Sequence, residues 1–142
     1  MEELRINIYN YLYDLFFDVV TQNVYSMQEP QELTSSDKQD GFMVLHVGNI
    51  EDAAEFNGHA YGWVRCYVEC FIPPRSRGRL DYDKYRQFES AVTNVINQAA
   101  SQGADGHGYA IQLDSILSMD DTDTNNADNM YFTFIKSFII TL

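Results

Sequence analysis

Histidine and cysteine are the residue types in this sequence that could hold a metal ion or act as nucleophiles. The three histidines, His46, His59 and His107, are far apart in the chain, and Cys66 and Cys70 have no second ligand pair at the spacing that zinc sites use. Neither cysteine begins a predicted helix, where its thiolate would be stabilised, and the chain has no G-x-S-x-G motif. We expect ordinary histidines, two core thiols, no metal or cofactor, and no enzymatic activity.

Oxygen-bearing side chains alternate after Met119. Asp121, Asp123 and Asn125 match the opening of a calcium-binding loop, but Asn126 replaces the glycine and Phe132 the bidentate glutamate that such a loop requires. The pattern favours a solvated hairpin loop over a calcium site.

The most distinctive group of charges is basic. Five of the nine basic residues lie within one short segment of an otherwise acidic chain: Arg75, Arg77, Arg79, Lys84 and Arg86. Arginine presents a fork of donors that fits phosphate or carboxylate. Nucleic-acid contact, pairing with an acidic surface of another copy, and a solvated loop without a partner are the three interpretations. Pairing is favoured over nucleic acid, because an exposed acidic segment that includes Asp120, Asp121 and Asp123 is predicted elsewhere in the chain.

Length and composition limit the class of protein. The chain has 142 residues, of which 45% are hydrophobic and 14% aromatic, and its formal net charge is −12. A chain of this length can bury about two thirds of its unfolded surface, so we expect a single domain over residues 1–142. It is too apolar for a disordered protein. Because sequence-independent binding of nucleic acid relies on excess Lys and Arg, the net charge excludes a general nucleic-acid binder.

The N-terminal residues and the two cysteines indicate where in the cell the protein is located. The N-terminal segment has acidic residues where a signal peptide is basic, and no apolar run approaches the roughly 20 residues that cross a bilayer. In a strand, Cys66 and Cys70 would lie about 13 Å apart, too far for a disulfide. We expect neither a signal peptide nor a membrane helix, and we place the protein in a reducing cytosol.

Apolar spacing predicts a helix over residues 2–21. Leu4, Ile8 and Leu12 belong to one apolar stripe. A second apolar side carries Tyr9, Tyr13 and Phe17. Such a helix either packs between layers, which is favoured, or presents its second side to a partner.

The alternation of apolar and polar residues predicts the strands. Residues 26–41 are predicted as a loop or extended segment, 41–50 as a strand, 51–58 as a loop and 59–72 as a long strand. One face of the long strand is aliphatic or thiol and belongs to the core. Its other face is amphipathic, as expected where a sheet meets solvent or another subunit, and it carries Trp63, Tyr67 and Phe71.

The second half of the chain repeats the pattern of helix and strands. A helix over 82–101, capped by Asp81 or Asp83, precedes a strand within 107–119, a loop over 120–129 and a last strand over 130–142 that is apolar in both registers. The element order α-β-β-α-β-β predicts an α+β fold of two layers, with a mainly antiparallel sheet of four to five strands packed against two helices.

This order, with the size and acidity of the chain, resembles the tail-terminator and head-completion (neck) proteins of tailed bacteriophages. The elements that carry the resemblance are the helix from Leu4 to Val19, the strand from Val64 to Ile72, the helix from Tyr82 to Ala100 and the closing strands. The resemblance implies a non-catalytic virion protein, assembled in the bacterial cytoplasm, that forms a ring, commonly a hexamer, at the head–tail junction. Its neighbours would be other neck, portal or tail-tube proteins. The resemblance transfers no role to any single residue.

Physical arguments fit that expectation. A ring built by head-to-tail contacts needs two different, complementary surfaces on each subunit. The segments 75–86 and 114–128 could supply the charges, and the two aromatic groups could supply anchors, since aromatic residues are enriched in interface cores. An acidic lumen would let DNA pass without binding it.

An alternative is a small acidic binding module, such as an inhibitor or immunity-type protein, that neutralises a basic partner. An enzyme is the third hypothesis, and no sequence feature indicates the pocket it would need.

Overall fold

A five-stranded sheet with helices defines the architecture of the chain. The computed structural model describes residues 2–28, 30, 32–56, 59–102, 109–123 and 131–142, without the side chains of residues 2, 52–56, 59–61 and 115–123. Its elements are α1 (Glu2–Phe16), β1 (Val24–Ser26), α2 (Ser35–Asp40), β2 (Phe42–Phe56), β3 (His59–Ile72), α3 (Tyr82–Gln102), β4 (Ala110–Asp123) and β5 (Tyr131–Thr141). The fold is α+β, as predicted.

The strand order is β1-β2-β3-β5-β4. All neighbouring strands are antiparallel except β1, which pairs with β2 in parallel over three residues. Strand β5 is therefore an interior strand between β3 and β4. Residues of both its registers are buried: Phe134 and Phe138 on one face of the sheet, and Thr133 and Ser137 on the other.

The main core lies between the sheet and the two long helices, α1 and α3. Helix α1 packs on β1 and β2, and α3 packs chiefly on β4. The predicted aliphatic and thiol face of β3 is fully buried here, together with Leu12 of α1 and Val92 of α3. Cys66 and Cys70 are both free and buried, as expected; burial raises the pKa of Cys66 to about 12 and that of Cys70 well above its usual range.

The opposite face of the sheet, called here the second face, has a smaller aromatic core at one end. Phe42 and Phe71 stack at 4.4 Å between ring centroids, and Tyr131 packs edge-on against both. Tyr25 and Leu33 cover this cluster. The prediction that Phe71 lies on an exposed face is therefore wrong: it is 1% exposed, because the segment after α1 folds back over it.

Helix α2 and strand β1 are elements that the sequence analysis missed within or beside its predicted loop over 26–41. A capping box begins α2: the Thr34 hydroxyl accepts from the Asp37 amide at 3.1 Å, and the Asp37 carboxylate accepts from the Thr34 amide at 2.9 Å. Gly41 ends α2 with φ of 84°, and a Cβ there would lie 2.5 Å from the Phe71 carbonyl oxygen. Glycine is therefore required at this junction.

Three predicted boundaries are also wrong. Helix α1 ends at Phe16 and not at residue 21, because Asp18 adopts a left-handed backbone with φ of 60°. Strand β2 continues to Phe56 through the predicted loop, with two register shifts that absorb the extra residues. Strand β4 includes Asp120, Asp121 and Asp123, which were predicted in a loop; their backbones pair with β5.

Helix α3 follows the prediction closely. Asp81 caps it, since its carboxylate accepts from the Lys84 amide at 3.2 Å. The apolar stripe predicted for this helix is buried at Phe88, Val92, Ile96 and Ala99.

Candidate functional site

A tight turn presents the arginine-rich segment after β3. The Arg75 amide donates to the Arg79 carbonyl at 2.7 Å, and the Gly78 amide donates to the Arg75 carbonyl at 3.2 Å. Arg77 has a left-handed φ of 65° at the tip. The turn thereby holds Arg75, Arg77 and Arg79 in solvent.

The five predicted cations have different roles. Arg75 lies 3.7 Å from a carboxylate oxygen of Asp81 and 3.5 Å from one of Asp83, so its charge is partly balanced within the chain. The Lys84 ammonium donates to the Gln39 carbonyl at 2.7 Å and ties α3 to α2. Arg77 and Arg79 form no ion pair with the part of the chain that the structure describes, and they are free to meet an external anion.

The first turns of α3 add aromatic surface to this basic segment. The Arg86 guanidinium lies 5.7 Å from the centroid of the Tyr82 ring, within cation–π range. Tyr82 is 58% exposed and Leu80 36%. Leu80, Tyr82 and Arg86, with Arg77 and Arg79 of the preceding turn, are called here the α3 flank.

The position of Lys84 shows which way the α3 flank faces. Lys84 lines a cleft of 380 Å³ whose other walls include Asp18, just after α1, and Asp40 of α2. Tyr82 and Arg86 are each two residues from Lys84, about 160° around the helix. Tyr82 and Arg86 are thus turned away from this cleft and from α1.

A second exposed apolar surface lies on α1. The Val47 amide donates to the Tyr9 hydroxyl at 3.0 Å, and Arg5 donates to the Val47 carbonyl at 2.9 Å. The Tyr9 side chain is therefore hydrogen-bonded to the edge of β2 and is half-buried.

Exposed apolar residues lie on either side of Tyr9 along α1. Ile6 and Tyr13 are about one helical turn from Tyr9 and are 53% and 37% exposed; Phe17 is 40% exposed and stacks on Tyr13 at 5.3 Å. Ile6, Tyr13 and Phe17 are called here the α1 flank, and they face outwards on the β2 side.

The row of three aromatic residues predicted as interface anchors on β3, Trp63, Tyr67 and Phe71, lies on the second face of the sheet. Trp63 and Tyr67 are half-buried. The Arg65 guanidinium lies 5.7 Å from the Trp63 ring, and Tyr67 stacks on His46 at 4.3 Å between centroids. Two of the three predicted anchors on β3 are therefore partly accessible, and Phe71 is not.

A polar cluster that the sequence analysis did not assemble lies beside this row. Arg65 pairs with the buried carboxylate of Asp114 at 3.2 Å. The Ser137 hydroxyl, also buried, lies 3.4 Å from the Cys66 carbonyl and 3.5 Å from the same carboxylate. These residues come from three different strands, β3, β4 and β5. Their proximity could have been predicted from the sequence only if the order of the strands in the sheet had been known. Asp114 is an internal partner and not part of an exposed acidic surface.

His46 is the histidine with a described environment. Its Nε2 atom is buried with no hydrogen-bond partner among the described residues, and burial lowers the pKa of the ring. A neutral, stacked imidazole is suited to packing.

The structure leaves several predictions open. The side chains of Asp120, Asp121 and Asp123, and residues 124–130, lie outside the described residues, so their assignment to an interface or a calcium site stays a prediction. Within the described residues, no three His, Cys, Asp or Glu side chains are grouped to hold a metal ion. No helix in that part of the chain has the length and apolarity needed to span a membrane.

No family model matches the sequence, and no curated protein matches it.

Proposed function

We propose that this chain is a non-catalytic structural subunit that assembles with copies of itself into a ring, as tail-terminator and head-completion proteins do at the head–tail junction of bacteriophages. The observation that carries the proposal is the placement of exposed apolar surface. Seven large hydrophobic side chains of the described chain are exposed; four lie on or just after α1 and two lie at the start of α3, leaving only Met27.

Two separate apolar surfaces suit a ring better than a two-fold dimer. A dimer uses the same patch on both subunits, whereas a ring uses two different patches that face different neighbours. Exposed aromatic side chains are typical of the buried centres of such interfaces. The net charge of −12 also suits a lumen that DNA must pass without being retained.

The experiment is to measure the mass of the assembled protein and to image it. Sedimentation velocity should show a single species at a fixed multiple of the 16.4 kDa chain mass, and negative-stain images should show a closed ring with a central opening. A strictly monomeric protein at high concentration would contradict the proposal.

The phage assignment needs its own test. In a phage genome that carries this gene, its deletion should yield filled heads and tails that do not join, or tails of abnormal length, and a plasmid copy should restore infectivity. Normal particles after deletion would refute a role at the head–tail junction.

A small acidic binding module is the second candidate, and the net charge of −12 on so short a chain favours it. It would be monomeric and would bind one basic protein with an affinity that falls steeply with salt. The same sedimentation experiment separates the two candidates, since only the ring subunit self-assembles.

A further inference from the structure

Resting on the proposed ring, we propose that the α1 flank of one copy docks onto the α3 flank of the next copy. This assignment differs from the one made from the sequence, in which the Asp-rich segment receives the arginines and which stays a prediction. It is carried by the position, chemistry and charge of the two flanks.

The positions of the flanks fit a head-to-tail contact. Helix α1 packs over β1 and β2, towards one edge of the sheet, and its flank faces outwards on that side. Helix α3 packs chiefly over β4, at the other edge, and Tyr82 and Arg86 of its flank face away from α1. The two helices contact each other over the sheet, so the outer sides on which the flanks lie are separated by roughly two helix diameters, about 20 Å. One subunit can therefore use both flanks at once, each on a different neighbour.

The chemistry of the flanks is complementary. On the α1 flank, Ile6 is the most exposed residue, and the Tyr13 and Phe17 rings form one stacked surface. On the α3 flank, the exposed Tyr82 ring lies under the Arg86 guanidinium. Tyrosine and arginine are the residue types that most often anchor interfaces, and apolar rings are the surface on which they pack.

The charges of the flanks are opposite. Glu3 and Asp14 are exposed on α1, and Arg5, the one basic residue of that helix, is tied to the edge of β2. The α3 flank carries Arg77, Arg79 and Arg86, all exposed. Charges arranged this way favour the pairing of unlike flanks and oppose the pairing of like flanks.

Site-specific cross-linking tests the contact directly. We would prepare Tyr13→Cys and Tyr82→Cys, each with a different tag, and treat their mixture with a short thiol-reactive cross-linker. The native Cys66 and Cys70 are buried, so they should not react. The mixture should give a covalent dimer that carries both tags, and each variant alone should give none. The double variant should give a ladder that stops at the size of the ring.

Asn97→Cys provides the matched control. Asn97 is exposed on the same side of α3 as Tyr82 but about 22 Å further along the helix. Paired with Tyr13→Cys, it should not cross-link.

A charge exchange supplies a second readout. Arg86→Glu should raise the concentration at half-assembly by about tenfold or more, and adding Asp14→Arg should restore much of the loss. Circular dichroism of each variant checks that it folds.

The outcomes distinguish this contact from the ring itself. If the mixture of the two cysteine variants assembles but residues 13 and 82 do not cross-link, the assignment of the flanks is wrong while the proposed ring stands. If the unmodified protein is monomeric at every concentration, both proposals fail.

Discussion

At the residue scale, the buried carboxylate of Asp37 connects the elements that the sequence analysis missed. It is fully buried, accepts from the Tyr25 hydroxyl at 2.8 Å and 2.9 Å on its two oxygens, and accepts from the Thr34 amide. Burial, the hydrogen bond and the negative charge of Asp37 raise the pKa of Tyr25 to about 12. One side chain therefore joins α2 to β1 over the aromatic core of the second face.

Replacing Asp37 should destabilise the protein strongly. Asp37→Ala removes the partner of the Tyr25 hydroxyl and of the Thr34 amide, so we expect the free energy of unfolding to fall by about 2–4 kcal/mol. Urea denaturation followed by circular dichroism measures the change. Asp40→Ala, at an exposed position of the same helix, is the control and should cost much less. Equal losses for the two variants would contradict the role given to Asp37.

His46 should make the free energy of unfolding depend on pH in the mildly acidic range. Because burial lowers its pKa in the folded chain below the usual 6.5, the unfolded chain binds the proton more readily. Stability should therefore fall as pH drops below about 6.5, and the loss should level off once the folded imidazole is protonated as well.

His46→Phe, which keeps an aromatic ring to stack on Tyr67, should flatten this part of the stability profile. NMR titration of the ring protons gives the direct measurement. A folded-state pKa at or above 6.5 would refute the argument.

At the element scale, the edge of β2 is protected by side chains of α1. Strand β1 pairs with only three residues of β2, and further along the strand the Val47 amide and carbonyl are bound by Tyr9 and Arg5. An exposed strand edge invites pairing with other chains. Helix α1 thus closes a stretch of the β2 edge that no strand covers among the described residues.

Tyr9→Phe should leave the Val47 amide without its acceptor. We expect unfolding to become easier by about 1–2 kcal/mol, with a greater tendency to aggregate on heating. Differential scanning calorimetry and light scattering measure the two effects in dilute protein. Tyr13→Phe removes a hydroxyl from an exposed ring of the same helix and should change neither. Identical behaviour of the two variants would show that the contact with Val47 has no effect.

The helices and strands also show how much of the fold can be predicted from one sequence. Helix α3 and strand β3 were predicted with nearly correct bounds, because long periodic patterns report directly which side is buried. Helix α2 has only six residues and no apolar period, although Thr34 and Asp37 have the spacing of a capping box. Strand β1 exists only through its pairing with β2. The ion pair of Arg65 with Asp114 depends on strand order, which local patterns do not contain.

At the scale of the whole molecule, the distribution of charge matters more than its total. Of the cations around the start of α3, Arg75 and Lys84 are used internally and Arg77 and Arg79 are left open. Glu3 and Asp14 of α1 are exposed. The net charge of −12 disfavours general binding of nucleic acid, and this asymmetry supports the proposed contact between copies.

Assembly should therefore depend on salt to a limited extent. Raising NaCl from about 0.05 M to about 0.5 M should weaken assembly by roughly three- to tenfold, because screening removes the attraction between charges while apolar contacts persist. Sedimentation equilibrium across the salt series measures this. Tighter assembly at high salt would contradict the charge pairing, since apolar contacts alone would then drive assembly.

The pairing of β5 with β3 has a consequence for synthesis of the chain. The hydrogen bond from Ser137 to Cys66 spans 71 residues, so β3 cannot pair with β5 until about 70 further residues have been translated. At roughly 5–20 residues per second, the nascent hairpin of β2 and β3 waits about 4–14 s with the backbone edge of β3 unpaired. During this interval the open edge can pair with another nascent chain, so aggregation during synthesis should begin there.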